Sequence, residues 1–348
     1  MQTFLISLIV FGIIIFVHEF GHFILAKLSG IRVEEFSLGM GPQIVGHKKG
    51  ETLYSIRALP LGGFCKMTGE MDVDPDAPRD PKSFNEKSIL ARISVIISGS
   101  LMNFLLGALI FAVMFSFIGV PTDYTNIIGE VMKDSVAEKA GLQANDEIIS
   151  INGQKLKSWS GVTEIIRNSS DKSLEIELKR NENTFVVSVI PEYDPEREFS
   201  LIGITPRDPI WEKIGLLAGI GQGFSQTYYL TVEMLRQLGM LITGQIASDG
   251  VAGPVGIIQI IGETARVGWI NVANLTALIS INLGLINLLP IPALDGGRLF
   301  FLIIEAVRGG RKVEPEKENL VHFIGFALLM GLMVFITYKD IIRWLSGF

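Results

Sequence analysis

Two histidines and a glutamate interrupt an otherwise apolar run, FVHEFGHFILAKLSG at residues 16–30. On a helix, residues four apart point within about 40° of one another, so His18 and His22 face the same way, one turn apart. Two imidazoles so placed can share one zinc ion. Glu19, on the adjoining face, is then free to take a proton from a water that the metal activates rather than to ligate the metal itself. The alternative is a histidine pair satisfied by neighbouring helices, with Glu19 a protonated buried acid. Inside a membrane span the balance moves to the metal, because ionisable groups there are costly and mark function by default.

A catalytic zinc takes a third protein ligand and keeps one position open. His47 lies in a charged loop, HKKG, and His322 opens a late apolar run with no partner nearby. Asp295 is more suggestive. It closes INLGLINLLPIPALDGGRLF, where Pro290 and Pro292 break a helix and Gly296 and Gly297 free the backbone. An aspartate before Gly-Gly is also an ordinary turn signal. Ligation is preferred here because the His-His-Glu group still lacks its third partner.

Elements must bring these residues together, and composition says what kind. Of 348 residues, 48% are apolar and only 19% charged, too oily for an ordinary soluble protein. The formal net charge of −6 is spread out, with no basic stripe, so no nucleic-acid partner is expected. Cys65 is the only cysteine, which excludes an intrachain disulfide and a thiolate metal site. Residues 3–26, 93–121, 268–294 and 320–338 each read as a membrane span. The first reads as a retained anchor rather than a removed leader, since no basic residue precedes it and no small-residue cleavage site follows.

Residues 214–243 are oily as well, but Gln222, Gln226, Glu233 and Gln237 recur on one helical face, which suits a helix lying on the membrane surface. Lys27, Arg32, Lys87 and Arg92 flank the first loop and Arg298, Arg308, Arg311 and Lys312 follow the third span, so both loops are expected on the cytoplasmic side. Asp295 can meet His18 only if 214–243 does not cross. Runs such as LYSIRAL, between LGMGP and LPLGG, predict β-hairpins over 31–67, followed by a polar, proline-rich connector at 71–82.

Residues 127–190 read as a compact β-rich module with two short helices. At SVAEKAGLQANDEIISINGQ it resembles PDZ domains, with Val136 where that family usually has Pro and Asn145 where it usually has Gly. Such domains bind extended peptides at a sheet edge, and a spacer that binds nothing is the bland alternative. The expected fold is therefore membrane α-helical, with four transmembrane helices, a membrane-associated β-hairpin region and an inserted extracytoplasmic PDZ-like α+β domain. Its segments are 1–30, the first span; 31–90, hairpins and connector; 91–121, the second span; 122–210, the PDZ-like domain; and 211–267, an interfacial helix and linker. The third span at 268–297, a loop at 298–319 and the last span at 320–348 complete it.

With HEFGH at 18–22, a PDZ insertion and NLLPIPALDGG at 287–297, the whole chain resembles the site-2 proteases, in particular the bacterial regulator-of-sigma-E protease branch. The resemblance implies an intramembrane zinc metalloprotease of the cell membrane, with His18, His22 and Asp295 as Zn2+ ligands and Glu19 as the base. Its active site would lie toward the cytoplasm. Implied substrates are single-pass transmembrane proteins, pre-trimmed by another protease, with peptide C-termini as ligands of the PDZ-like domain and the lipid bilayer as surroundings. Cutting a helix in hydrocarbon requires unwinding it, and each unpaired backbone group there costs several kcal/mol. An edge strand from 31–67 is expected to supply replacement hydrogen bonds, and Asn287 and Pro290 are candidate substrate-binding residues. For Asn287 the alternative is to cap the broken third span.

The family's second-span motif of the type Gly-Pro-x-x-Asn reads SGSLMNFLLG here, with Ser100 in place of Pro. Asn103 is a candidate for substrate binding, and plain packing of the Gly99, Asn103, Gly107 face stands beside it. The competing function classes are a catalytically inactive, PDZ-bearing membrane adaptor with a structural metal site and a metal transporter. The adaptor does not need Glu19, and the transporter needs a second set of intramembrane ligands that the sequence lacks.

Overall fold

The computed structural model describes residues 2–70, 80–170, 172–194, 199–245 and 252–346. Most of the connector read at 71–82 therefore lies outside the described residues. In chain order the elements are α1 (Gln2–Leu28), β1 (Val33–Lys49), β2 (Thr52–Met67), α2 (Ile89–Phe117), β3 (Val120–Tyr124), β4 (Ile128–Val131), α3 (Val136–Lys139), β5 (Glu147–Ile151), β6 (Gln154–Lys155) and α4 (Trp159–Arg167). They continue with β7 (Leu174–Arg180), β8 (Asn183–Val189), β9 (Glu192–Asp194), β10 (Phe199–Leu201), β11 (Ile204–Pro206), β12 (Pro209–Glu212), α5 (Leu216–Ile242), α6 (Pro254–Val267), α7 (Trp269–Leu288), α8 (Asp295–Val307) and α9 (Pro315–Ser346). They divide into two compact units, one of residues 1–114 with 217–348 and one of residues 115–216.

Among the described residues of the first unit, four helices are long and apolar enough to cross a membrane: Gln2–Leu28, Ile89–Phe117, Trp269–Leu288 and Glu316–Arg343. They match the four apolar runs, with altered ends. The second stops at Phe117, and after Gly119 the chain is already a strand at Val120. Along α1 the buried residues are Ser7, Val10, Ile14, His18, Gly21, His22 and Ala26, a single stripe of three- and four-residue steps. His18 and His22 are part of that stripe, so the same periodicity that packs the helix aims both imidazoles inward.

Strands β1 and β2 form an antiparallel pair within residues 33–67. Strand β1 lies beside two stretches of β2, with Phe36 opposite Tyr54 on one side and Cys65 on the other. Its buried part packs with Ala26, Val95, Ile96 and Leu302 of the helices, while residues 40–49 are exposed. Helix α5 buries Gly219, Gly223 and Thr227, and Gly223 sits directly against Ala108 and Ala112 of α2, within about three turns of that helix's end. Two helices inside segments read as linker and loop were not foreseen. One is α6, opened by Pro254 and packed against α1 and α7; the other is α8.

The second unit has a sheet in the order β6-β5-β7-β8, and β3 and β4 pair with β12 and β11 in two separate two-stranded sheets. Its main core cluster is apolar, including Ile128, Ile148, Ile151, Val162, Leu174, Ile176 and Leu178. Both departures from the PDZ pattern have a local account. Asn145 has φ 73°, a left-handed conformation that asparagine tolerates better than most residues with a Cβ. Val136 is the first residue of α3, a position that favours proline but does not require it, and Ser135 caps the helix by accepting from the Glu138 N–H.

Candidate metal centre

Three elements meet at the histidines. Helix α1 supplies His18 and His22, 7% and 8% exposed, with ring centroids 4.8 Å apart. Helix α2 crosses beside them, and Gly99 faces the pair: a Cβ there would run into His22 Nε2 and come within 2.8 Å of His18 Cε1. Only a glycine leaves room for both rings. The first turn of α8 supplies the third residue. Because Pro290 and Pro292 stop α7 at Leu288, Asp295 does not close the third span, as the sequence suggested, but opens a separate helix. The loop folds back so tightly that a Cβ on Gly296 would strike the carbonyls of Leu288 and Leu289. That close approach, rather than a special φ, is what the Gly-Gly pair provides.

Asp295 Oδ2 lies 3.0 Å from His18 Nε2 and 3.3 Å from His22 Nε2, and the two Nε2 atoms are 3.2 Å apart. Ligand atoms at about 2.0–2.1 Å from a tetrahedral ion lie about 3.3–3.4 Å from one another, so this triangle has nearly the dimensions zinc requires. The chemistry of the donors agrees. His22 Nδ1 donates to the Val95 carbonyl at 2.8 Å, which leaves Nε2 as a lone pair. Asp295 Oδ2 is buried with no hydrogen-bond partner among the described residues. His18, His22 and Asp295 are also the only His, Cys, Asp or Glu group of metal-binding geometry among the described residues.

Glu19 lies on the adjoining face of α1, half-buried, and its carboxylate accepts no hydrogen bond from the described residues. The β2 backbone runs past it, since a Cβ on Gly63 would come within 3.3 Å of Glu19 Cγ. The other residues singled out in the sequence fall in different places. The Asn287 amide is 3.4 Å from His18 Nε2, at the edge of the triangle. Pro290 is exposed in the break between α7 and α8. Asn103, considered for substrate binding, is fully buried with its amide 3.3 Å from His18 Nδ1, so it offers a substrate no surface. His322 is held away from the triangle, accepting from the Ala293 N–H at 3.0 Å.

Sequence reasoning missed one positioning pair. Arg92 of α2 donates to both carboxylate oxygens of Glu305 of α8, at 3.0 and 2.6 Å, and both side chains are buried. This bidentate contact holds the helix whose first residue is Asp295. Opposite charges within apolar stretches were its only sequence signal, and they lie 213 positions apart.

The family model of peptidase family M50 matches residues 6–332. A Clostridium acetobutylicum protein is 39% identical, covering 97% of this chain and 96% of its own. The zinc metalloprotease RasP of Geobacillus kaustophilus is 35% identical, covering 98% of each chain. The regulator of sigma-W protease RasP of Bacillus subtilis is 34% identical, covering 98% of this chain and 99% of its own. Among solved structures, the PDZ domain of an SdrC-like protein from Listeria monocytogenes covers 25% of this chain and 88% of its own, at 22% identity and a TM-score of 0.21.

Proposed function

The chain belongs to peptidase family M50, and on that premise we propose that this intramembrane zinc metalloprotease holds its metal through His18, His22 and Asp295 and uses Glu19 as the general base. The observation that carries the assignment is the Nε2, Nε2, Oδ2 triangle beside the Glu19 carboxylate, which accepts no hydrogen bond from the described residues. When bound, zinc supplies Lewis acidity, which makes water easier to deprotonate and polarises a carbonyl.

The protein's own residues do the rest. Glu19 takes the proton from the attacking water and returns it to the leaving amine. The β2 backbone passing Glu19 offers an edge for an unwound substrate segment. Asn287, at the rim of the triangle, is placed to donate to a substrate carbonyl, and Pro290 keeps the chain beside it from closing into a helix.

The substrates are membrane proteins. The Bacillus subtilis relative's name, regulator of sigma-W protease, supports anti-sigma factors as one class, single-pass and pre-trimmed by another protease. The site faces the cytoplasm. In support, Lys312 Nζ donates to the Asn85 carbonyl at 3.0 Å and Arg298 pairs with Glu70, so the two loops rich in basic residues share one end of the helical unit. The PDZ-like unit, on the other side, excludes bulky substrates or takes a newly exposed peptide C-terminus, and α5 lies on the membrane surface.

Cleavage of a transmembrane substrate by purified enzyme, with and without a zinc chelator, tests the reading. Activity is expected to vanish with chelation and return with zinc. The Glu19→Gln variant should keep its zinc and lose about 10²–10⁴-fold in rate. Full activity in the metal-free enzyme would rule the mechanism out, and undiminished turnover by Glu19→Gln would remove the base.

A further inference from the structure

The two metal-facing histidines differ in what stands behind them. For an imidazole to present the Nε2 lone pair to a metal, its proton must be on Nδ1, and whatever accepts that proton fixes the tautomer. His22 has the Val95 carbonyl for this purpose, an acceptor that cannot be anything else. Among the described residues no backbone carbonyl is hydrogen-bonded to His18 Nδ1. Its Nδ1 faces the side-chain amide of Asn103, with Nδ2 at 3.3 Å.

An amide NH2 against Nδ1 would make that nitrogen an acceptor. The ring proton would then sit on Nε2, pointing at His22 Nε2 and Asp295 Oδ2, where a metal ligand needs a lone pair. The other end of the amide is in difficulty as well: Asn103 Oδ1 is buried with no hydrogen-bond partner among the described residues. Amide nitrogen and oxygen are nearly equal in size, so a half-turn of the group exchanges them without changing the packing. The turned amide puts Oδ1 on the Nδ1 proton and ends the isolation of that oxygen. Its NH2 then points toward the side where Oδ1 was stranded.

The backbone of Asn103 is anchored independently. Ser280 of α7 donates to its carbonyl at 2.9 Å, and Gly284 lets α7 approach so closely that a Cβ there would be 3.2 Å from Asn103 Cβ. The residue is held by two helices with its side chain committed to a third.

We infer that Asn103 is a positioning residue: its side-chain oxygen accepts the Nδ1 proton of His18 and so holds the Nε2 lone pair toward the point shared with His22 and Asp295. The assignment rests on the metal reading above and explains a residue that touches neither substrate nor ion.

Zinc affinity measured by competition with a chromophoric chelator, on full-length protein in detergent, tests it in three proteins. Asn103→Leu, of similar size but without an acceptor, should bind zinc about 10–100-fold more weakly than wild type. Asn103→Asp, which keeps an acceptor in the same place, should recover most of that loss. Nitrogen NMR of histidine-labelled wild type should show His18 protonated at Nδ1, a measurement that does not depend on any variant folding. Wild-type affinity in Asn103→Leu, or a His18 proton found on Nε2 in the zinc-loaded protein, would overturn the assignment and leave the metal centre standing. Failure of the wild type to bind zinc would overturn both.

Discussion

The two units of the chain solve opposite packing problems. In residues 115–216 the inside is apolar: Ile148, Ile151, Ile176 and Leu178 are fully buried, and the buried carboxylate Asp146 is neutralised by Arg180 at 2.7 Å. The helical unit also buries apolar side chains, among them Val10, Ile14, Val95 and Ile281, but it turns many others outward and encloses polar ones. Phe4, Leu5, Ile9, Leu109 and Val113 face outward, while His18, His22, Arg92, Asn103, Ser280 and Glu305 are buried. Hydrocarbon surroundings remove the gain from hiding apolar side chains, so directed polar contacts and close glycine-lined approaches decide how the helices meet. Changes inside residues 115–216 should therefore cost stability alone, whereas changes in the helical unit that meet the metal-facing side chains should cost chemistry.

The sharpest break of that contrast would come from Gly99→Ala. One added methyl meets both imidazoles, so zinc affinity should fall at least about 10-fold and proteolysis with it, while secondary structure is kept. Metal analysis and circular dichroism on the same sample check this. Arg92→Leu should cost about 3–5 kcal/mol, because Glu305 is left buried and unpaired, and replacing Glu305 by Leu as well should recover most of it. Denaturant unfolding in detergent reads both variants. In the other unit, Ile148→Ala should cost about 2–5 kcal/mol with zinc content unchanged. Zinc loss there, or zinc retention in Gly99→Ala, would erase the distinction.

The smallest expected effect concerns acid. Hydrogen bonds from Ser160, Ser158 and the Tyr124 N–H hold the Asp123 carboxyl down to about 2, below the ordinary aspartate value. A depressed carboxyl contributes stability above its unfolded value and loses it as pH falls toward the folded one. Hydrogen exchange across residues 120–168 should quicken as pH is lowered through about 4 to 2, after correction for intrinsic rates. The group is exposed, so the change should be slight, and Asp123→Asn should flatten it.

Much of this was legible in one dimension. Apolar run lengths located the four helices that are, among the described residues, long and apolar enough to cross a membrane, and the three- and four-residue steps of α1 set His18 and His22 inward together. The proline pair before Asp295 signalled a break, though not that a new helix would begin there. Helix α8 was read as loop because its meaning depends on Arg92, far away in the chain. Asn103 was weighed as a substrate contact because nothing near it in sequence says which histidine nitrogen it faces.

What the sequence alone determined is whatever follows from local order: apolar length, helical period, and donor types one turn apart. Only the tertiary structure decided that an aspartate hundreds of residues later comes within 3.0 Å of His18, that Gly99 makes room for both rings, and which residue backs each imidazole. The reason is physical. Periodicity constrains the direction of a side chain on its own helix, whereas the position of a partner is set by how separate helices cross.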